Sequence, residues 1–549
     1  MNEKVEVRVD TGHWLGTLDH TWNYVGYDEC NYTHSPGGMA LIEKFGKLEK
    51  PYYMRAHHML CTGIMHGFYK WGSTNVYTED ENGNPVYSYD CIDEMMDIWL
   101  KNRCKPFFEI GFMPKDLADT RLADDPARGY TMDSYRRIGW SMPPKDYDRW
   151  YELIVNLITH LKDRYGEAEL ETWYFELWNE PDIFYWRGTP EEYQKLYDYT
   201  EAAIHSVMPS ARFGGPATTG NEDFEAGGAL FLKNFLAHIR DGVNYFSGAR
   251  GTRIDFTSFH TKGGLYDMNL LAKKQIPSVC RLVNNAKTQA TVIRDAGYGA
   301  LECVMSETDP DAWAAGGRFD NFNLNFRNTE YYASYVASGY KNLYDLAEQM
   351  GMDLRPLAWA FMFEGERCFE GTRTFTTQGI DKAIFNLFKL YAKLGTQRVA
   401  LESSRDLDPM RFADYNGTAE GPEIDGWATV GAGDSVQVLL YCHHDDWDVE
   451  KTYDVELTLA GLPEGSMTVR HYRIDAEHSN AYAEWLRQGK PNYPNEGQYA
   501  AIKARDGLEL LTAPETVEVT GNSASLHFEM PVHAVSLLTF ERNETKKAR

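Results

Sequence analysis

Residues Trp173 to Asp182 read WYFELWNEPD, an apolar run that passes straight into an Asn-Glu-Pro turn. The turn sets Glu180 at the carboxyl end of a strand. In barrels of alternating strands and helices the catalytic groups sit at that rim, so a carboxylate delivered there is a candidate acid and not a solvated surface charge. A second delivery follows in LECVMSETD, Leu301 to Asp309, where another apolar strand ends in Ser306-Glu307. Two rim carboxylates are the minimum equipment for hydrolysing a glycosidic bond. Taken singly, each also reads as the acidic start of a helix.

Outward from these two strands, short β-rich runs alternate with longer helical patterns from about Thr11 to Gly395, the pattern of parallel βα units. Eight strands are predicted: His13–Leu18, Tyr52–His57, Lys105–Ile110, Thr172–Leu177, Arg212–Gly215, Ile254–Phe259, Leu301–Ser306 and Pro356–Phe361. Helices follow them; in Asp146–Tyr165, Trp150, Leu153, Ile154, Leu157 and Leu161 share one face. Gly395 stops the last helix. Eight units with no GxGxxG or Walker turn predict an α/β fold of the closed (β/α)8 TIM-barrel type, not an open doubly wound sheet.

Beyond about Thr396 the helical period gives way to two-residue alternation, as in Val455, Leu457, Leu459 and in Leu526, Phe528, Met530, which predicts a C-terminal β-sandwich accessory domain. Val5, Val7 and Val9 alternate in the same way. The expected organisation is therefore an N-terminal strand over 1–10 joining the sandwich, a catalytic barrel over 11–395 and the sandwich over 396–549, with NETKKAR as a frayed tail.

The 549 residues carry a net charge of −26. That acidity excludes nucleic acid, anionic membranes and polyanions as expected partners and fits a neutral substrate. MNEKVEVRVD is charged and alternating, and no run approaches the ~18 apolar residues of a membrane span, so a cytoplasmic protein is expected. The eight cysteines show no CxxC spacing and read as reduced core thiols. Aromatics make up 14% of the chain, enough both to fill helix–sheet interfaces and to stack on sugar faces.

Asn179 precedes Glu180 and is a neutral hydrogen bonder suited to a sugar 2-hydroxyl; Pro181 fixes the turn. Asp309 competes with Glu307 for the second carboxylate role. Arg55, in YMRAHH, is the cation expected to keep Glu307 ionised, while the Glu307 charge and closure over the sugar raise the pKa of Glu180. His57, His58 and His260 lie at or just past strand ends, but no HxH or HExxH spacing occurs. Hydrogen bonding to hydroxyls is the expected role, with no metal and no other cofactor.

The motifs YMRAHHML, KPFFEIGFMPKDLA, PPKDYDRWYELIVNLITHLKDRYG, FELWNEPD with Tyr185-Trp186 after it, and GIDKAIFNLFKLYAKLG follow in that order. The ordered set resembles glycoside hydrolase family 39, the retaining barrel enzymes that include β-xylosidases and α-L-iduronidases, over nearly the whole chain. YRIDAEHSNAYAEW looks like that family's accessory domain. The resemblance implies Glu180 as acid/base, Glu307 as nucleophile and a covalent glycosyl-enzyme, with Asn179, Arg55, His57, His260, Trp186, Trp359 and Glu364 binding an oligosaccharide. It also suggests a homo-oligomer. The chain departs from the xylosidase pattern at Glu307-Thr308-Asp309, continuing into Ala314-Ala315-Gly316-Gly317, and at WAFMFEGE, where either Glu364 or Glu366 contacts sugar.

The expected function is an exo-acting retaining hydrolase that frees a terminal pentose from plant-derived oligosaccharides, with β-xylosidase first. An arabinosidase is the alternative, either an α-L-arabinofuranosidase or an enzyme releasing galactosyl-arabinose from arabinogalactan. An iduronidase is disfavoured because the rim loops are not rich in Lys or Arg. A non-catalytic carbohydrate-binding protein has no need of both glutamates.

Overall fold

A computed structural model of the chain describes residues 2–543 apart from 64–73, 130, 315, 361–363, 416–418 and 420. The end of the predicted strand at Phe361 and most of the NETKKAR tail lie outside the described residues.

Eight parallel strands close a barrel: Tyr24–Glu29, Tyr53–His57, Lys105–Ile110, Tyr174–Leu177, Arg212–Thr218, Phe256–Lys262, Glu302–Asp309 and Asp353–Trp359. Seven lie where the alternation predicts them. The first does not. All of His13–Leu18 but its last residue belongs to a long strand, Glu3–Thr17, that lies outside the barrel, with Trp14 and Leu15 exposed. The first barrel strand, YVGYDE, escapes an apolar-run reading because Gly26 and two acids interrupt it. Gly26 is required by close approach: a Cβ there would lie 2.3 Å from the Trp359 ring, which crosses the barrel mouth beside it.

The helices form on the outside for local reasons. In Tyr147–Tyr165, Asp146 accepts from the backbone N–H groups of Asp148 and Arg149, and the Trp150–Leu161 stripe is buried. Pro190–Val207 starts in a reciprocal cap between Thr189 and Glu192; such a cap contributes about 1 kcal/mol. Inside the barrel, the floor is aromatic. Tyr24 stacks on Tyr53 at 4.8 Å and Phe107 on Tyr174 at 4.9 Å between ring centroids. One turn of the pleat higher on the same strands come Arg55, Glu109 and Glu176, all buried, and above them the rim.

The accessory module is a ten-stranded sheet, nine strands in one hydrogen-bonded path and Glu515–Val519 paired beside it, wrapped around its own apolar core. Glu3–Thr17 lies inside that path, antiparallel to Gln397–Ser403 and parallel to Thr452–Ala460. Val5, Val7 and Val9 point into the core. The strand does not stop at residue 10, so the expected boundary there is moved by the stretch that runs on to Thr17. The module packs on the barrel helix Glu330–Met350, where Ser338 and Asn342 donate to the buried Glu423 carboxyl at 2.7 and 3.1 Å. Among the described residues no helix is long and apolar enough to cross a membrane, and all eight cysteines are buried thiols outside any disulfide.

Candidate active site

Glu180 follows the fourth barrel strand. Its φ is +45°, outside the right-handed helical region that a following proline disfavours, and its N–H donates to the Ala217 carbonyl at 2.9 Å. Two residues on, Asp182 accepts from the backbone N–H of Thr219 at 2.9 Å and from its hydroxyl, so the loop is tied to the end of the fifth strand. A sparsely populated backbone conformation persists only where its surroundings hold it, and these bonds do so.

Glu307 arrives from the seventh strand by a different device. The register with the sixth strand slips between Met305 and Glu307, so that Met305 pairs with Phe259 and Glu307 with His260. The extra residue, Ser306, re-aims the side chain, as bulges beside active sites do. One oxygen of Glu180, one of Glu307 and a ring nitrogen of His260 all lie within 4.8 Å of one another. His260 Nδ1 is 2.8 Å from Glu180 Oε1 and 3.7 Å from Glu307 Oε2.

The two carboxyls sit in opposite electrostatic surroundings. Burial pushes Glu180 up to about 7, and the neighbouring Glu307 charge pushes in the same direction. Burial works on Glu307 too, but His260, Lys262 and His57 around it outweigh burial and hold it well below the usual carboxylate range. Lys262 Nζ donates to Glu307 Oε2 at 2.6 Å, and His57 Nε2 is 3.4 Å from Oε1. Burial alone would push His57 down, yet its 2.6 Å contact with Glu109 takes it up to about 10, so it stands as an imidazolium beside Glu307. Below about pH 7 a protonated carboxyl faces an ionised one.

Arg55 organises the layer beneath. Its Nε donates to Glu176 at 2.6 Å, its Nη2 contacts Glu109 at 2.9 Å and donates to Asn179 Oδ1 at 3.1 Å, and its Nη1 reaches Glu307 at 3.5 Å. With Asn179 Oδ1 occupied, its amide NH₂ is left for a ligand hydroxyl. Asp309 stays buried below the rim, accepting from Lys262, from Arg373 at 2.9 Å and from the Trp359 N–H at 3.3 Å. It steadies the cation beside Glu307; it does not face the cavity. The Lys262 ammonium takes the cationic place against Glu307 that an ion would need among these three donors.

Above the pair opens a cavity of about 660 Å³, walled in part by His57, Asn179, Glu180, Glu307, Trp359 and Arg373. Trp359 closes one side, 4.9 Å from the His57 ring. Of the residues expected to bind substrate, His57, Asn179 and Trp359 line the cavity, Arg55 and His260 lie against the two carboxyls, and Trp186 and Glu364 are not brought here. Trp186 is buried behind the acid loop, edge-on to Trp178 at 5.0 Å, with its N–H donating to the Thr189 carbonyl; Tyr185 holds the lining position instead. Glu364 accepts from the Gly37 N–H at 2.5 Å, at the start of the helix Pro36–Phe45. Glu366 is pushed up to about 7 by burial, against the opposing charge of Lys382. Neither glutamate lines the cavity. His58 likewise turns away, towards Cys61 and Trp140.

Sequence reasoning missed Glu109, Glu176, Lys262 and Arg373. The first two carried a signal, an acid in the middle of an apolar strand, which demands a buried partner. Lys262 and Arg373 also overturn the expectation of a rim poor in basic groups, since both line the cavity. They are 111 residues apart in number and only the closed barrel brings them to Asp309.

The family model described as glycosyl hydrolases family 39 matches residues 6–522. A β-xylosidase of Geobacillus stearothermophilus is 35% identical over 90% of this chain and 87% of its own length. The α-L-iduronidase of Homo sapiens is 23% identical over 91% of this chain and 73% of its own. Among solved structures, a monomeric β-xylosidase from Caulobacter crescentus CB15 superposes with a TM-score of 0.75 at 20% identity, covering 98% of this chain and all of that one, a likeness of fold.

Proposed function

The chain belongs to glycosyl hydrolases family 39 and is a retaining O-glycoside hydrolase, and from that premise we propose that Glu180 is its acid/base and Glu307 its nucleophile, acting on a terminal β-xylosyl unit of an oligosaccharide. The observation that carries the assignment of roles is two carboxyls with oxygens within 4.8 Å in opposite surroundings, burial and the neighbouring charge raising Glu180 and the cations around Glu307 holding it low. Retention needs carboxyl groups about 5–5.5 Å apart, and inversion about 6.5–9.5 Å to admit a water between them.

Glu307 attacks the anomeric carbon while Glu180 gives its proton to the departing oxygen. The positive surroundings of Glu307 keep it ionised for the attack and, once it is esterified, the charge that raised the pKa of Glu180 is gone. Glu180 then serves as the base that takes a proton from the incoming water. Asn179, turned by Arg55, offers its amide to the sugar 2-hydroxyl, and Trp359 gives the terminal ring an apolar wall.

The xylose reading draws support from the Geobacillus stearothermophilus relative. A second reading, release of a terminal uronic acid, is favoured by one observation, the two cations Lys262 and Arg373 on the cavity wall. Nitrophenyl β-D-xyloside, α-L-arabinofuranoside and an aryl α-L-iduronide, assayed side by side, decide between them. Preference for the xyloside is expected; hydrolysis of the iduronide or arabinofuranoside with the xyloside inert overturns the choice of sugar, and inertness of all overturns the assignment of the pair.

A further inference from the structure

A second chamber, of about 270 Å³, adjoins the catalytic cavity and shares Asp182 and Gly227 with its wall. It lies between the first turns of two helices, Pro190–Val207 and Gly227–Asp241, which begin at the catalytic rim. Gln194 comes from one helix, and Leu230, Phe231 and Asn234 from the other.

The cavity has two sides. His57, Lys262, Glu307, Trp359 and Arg373 surround the nucleophile and form the side for the sugar that becomes covalently held. Asp182 to Tyr185, Thr219 and Gly227 form the other, on the loop that carries Glu180. The acid must reach the oxygen that departs, so the leaving group lies on that second side. A leaving group longer than one ring then meets the boundary at Asp182 and Gly227, beyond which the chamber lies.

The threshold is built to be low. Gly227 has φ +48°, and a Cβ there would come 2.6 Å from Asn221 Nδ2. Asp182, bonded to Thr219, cannot swing across. Past the threshold, the Gln194 and Asn234 amides make no hydrogen bond to other described residues, and each offers a donor and an acceptor to hydroxyls. The Phe231 ring is half-buried, held edge-on by Tyr193 at 5.5 Å, and gives one apolar face. Two free amides around one aromatic face suit a neutral sugar ring.

We infer that the chamber between the two helices binds the second ring of the leaving group, so that the enzyme prefers substrates with at least three sugars. The inference rests on the proposed β-xyloside reading with Glu180 as the acid. The test compares kcat/KM for nitrophenyl β-D-xyloside, β-1,4-xylobiose and β-1,4-xylotriose in the wild type and in Asn234→Ala, Gln194→Ala and Phe231→Leu.

In the wild type, xylotriose is expected to exceed xylobiose about tenfold, the worth of one or two hydrogen bonds with an apolar contact. In the amide variants that ratio falls towards one, while rates on the aryl xyloside and on xylobiose stay at wild-type level. Equal kcat/KM for the two oligosaccharides in the wild type overturns the inference with the xylosidase reading intact. So does a variant that loses equally on all three substrates. A wild type inert on the aryl xyloside removes the reading beneath it and the inference together. Asn234 is exposed and Gln194 half-exposed, so their variants are expected to fold; an unchanged melting temperature checks this.

Discussion

Replacing Lys262 by Met removes the cation that stands 2.6 Å from Glu307 without touching either carboxyl. At that separation two unit charges attract by about 6 kcal/mol at an effective dielectric of about 20. The ammonium is shared with Asp309 and gave up its hydration to reach the site, which brings the net to that of a charged hydrogen bond, about 1.5–3 kcal/mol. Taking about 2 kcal/mol, the Glu307 pKa rises by about 1.5 units. Glu307 must be ionised to attack, so the acid limb of the kcat/KM profile moves up by about 1.5 pH units. Lys262 also lowers the pKa of Glu180, so the basic limb moves up as well, by less. Arg373 remains 2.9 Å from Asp309, so the variant keeps one partner for the buried aspartate. The assay is kcat/KM on an aryl glycoside from about pH 3.5 to 9. A folded variant whose acid limb stays in place refutes the electrostatic account of Glu307; an acid limb that moves down refutes its sign.

Glu307→Gly is expected to abolish turnover and to recover with azide, giving the glycosyl azide of inverted configuration; unassisted hydrolysis at near wild-type rate removes Glu307 from the pair. Glu180→Ala is expected to lose about 10²–10⁴-fold on oligosaccharides while its first step on activated aryl glycosides stays fast, read by the size of the burst; equal losses on both refute its role as acid. With Glu180 at about 7, kcat/KM for oligosaccharides halves near pH 7 and falls above it, whereas an activated aryl glycoside shows no such limb. In the interface between barrel and module, burial and Asp425 push Glu423 up to about 8 from the ordinary 4.5. The folded state then holds a proton that the unfolded chain has lost, so this group lowers stability as pH rises from about 4.5 to about 8. Glu423→Gln is expected to raise the melting temperature at pH 8 and leave it unchanged near pH 4; an equal effect at both refutes the shift.

The barrel was legible because its period repeats. A strand that must be apolar on both faces and a helix that must be apolar on one leave different spacings, and the alternation names seven of the eight strands in place. Glu180 and Glu307 were legible for a related reason, since each follows an apolar run at the point where the backbone turns. The first strand was not legible. Tyr24–Glu29 is acidic at its end because that end is the rim, so the feature that makes it functional hides it as a strand. Trp186 misled in the opposite direction: it is next to Tyr185 in sequence, but the loop after Glu180 turns one ring to the cavity and the other to the core. Lys262 and Arg373 acquire meaning only through Asp309, a convergence of three strands and loops that no local pattern contains. The slip at Ser306 is equally silent in sequence, because a bulge is a property of two paired strands.

The strand Glu3–Thr17 gives synthesis of this protein an order. It is made before every strand of the barrel, yet both of its neighbours in the sheet, Gln397–Ser403 and Thr452–Ala460, are made about 400 residues later. At about 5–20 residues per second that is a wait of roughly 20–80 s. During it Val5, Val7 and Val9 have no partner in their sheet and no core to enter. The module therefore completes last and clasps the two ends of the barrel together. An unfinished chain would be recognisable by its loose first strand.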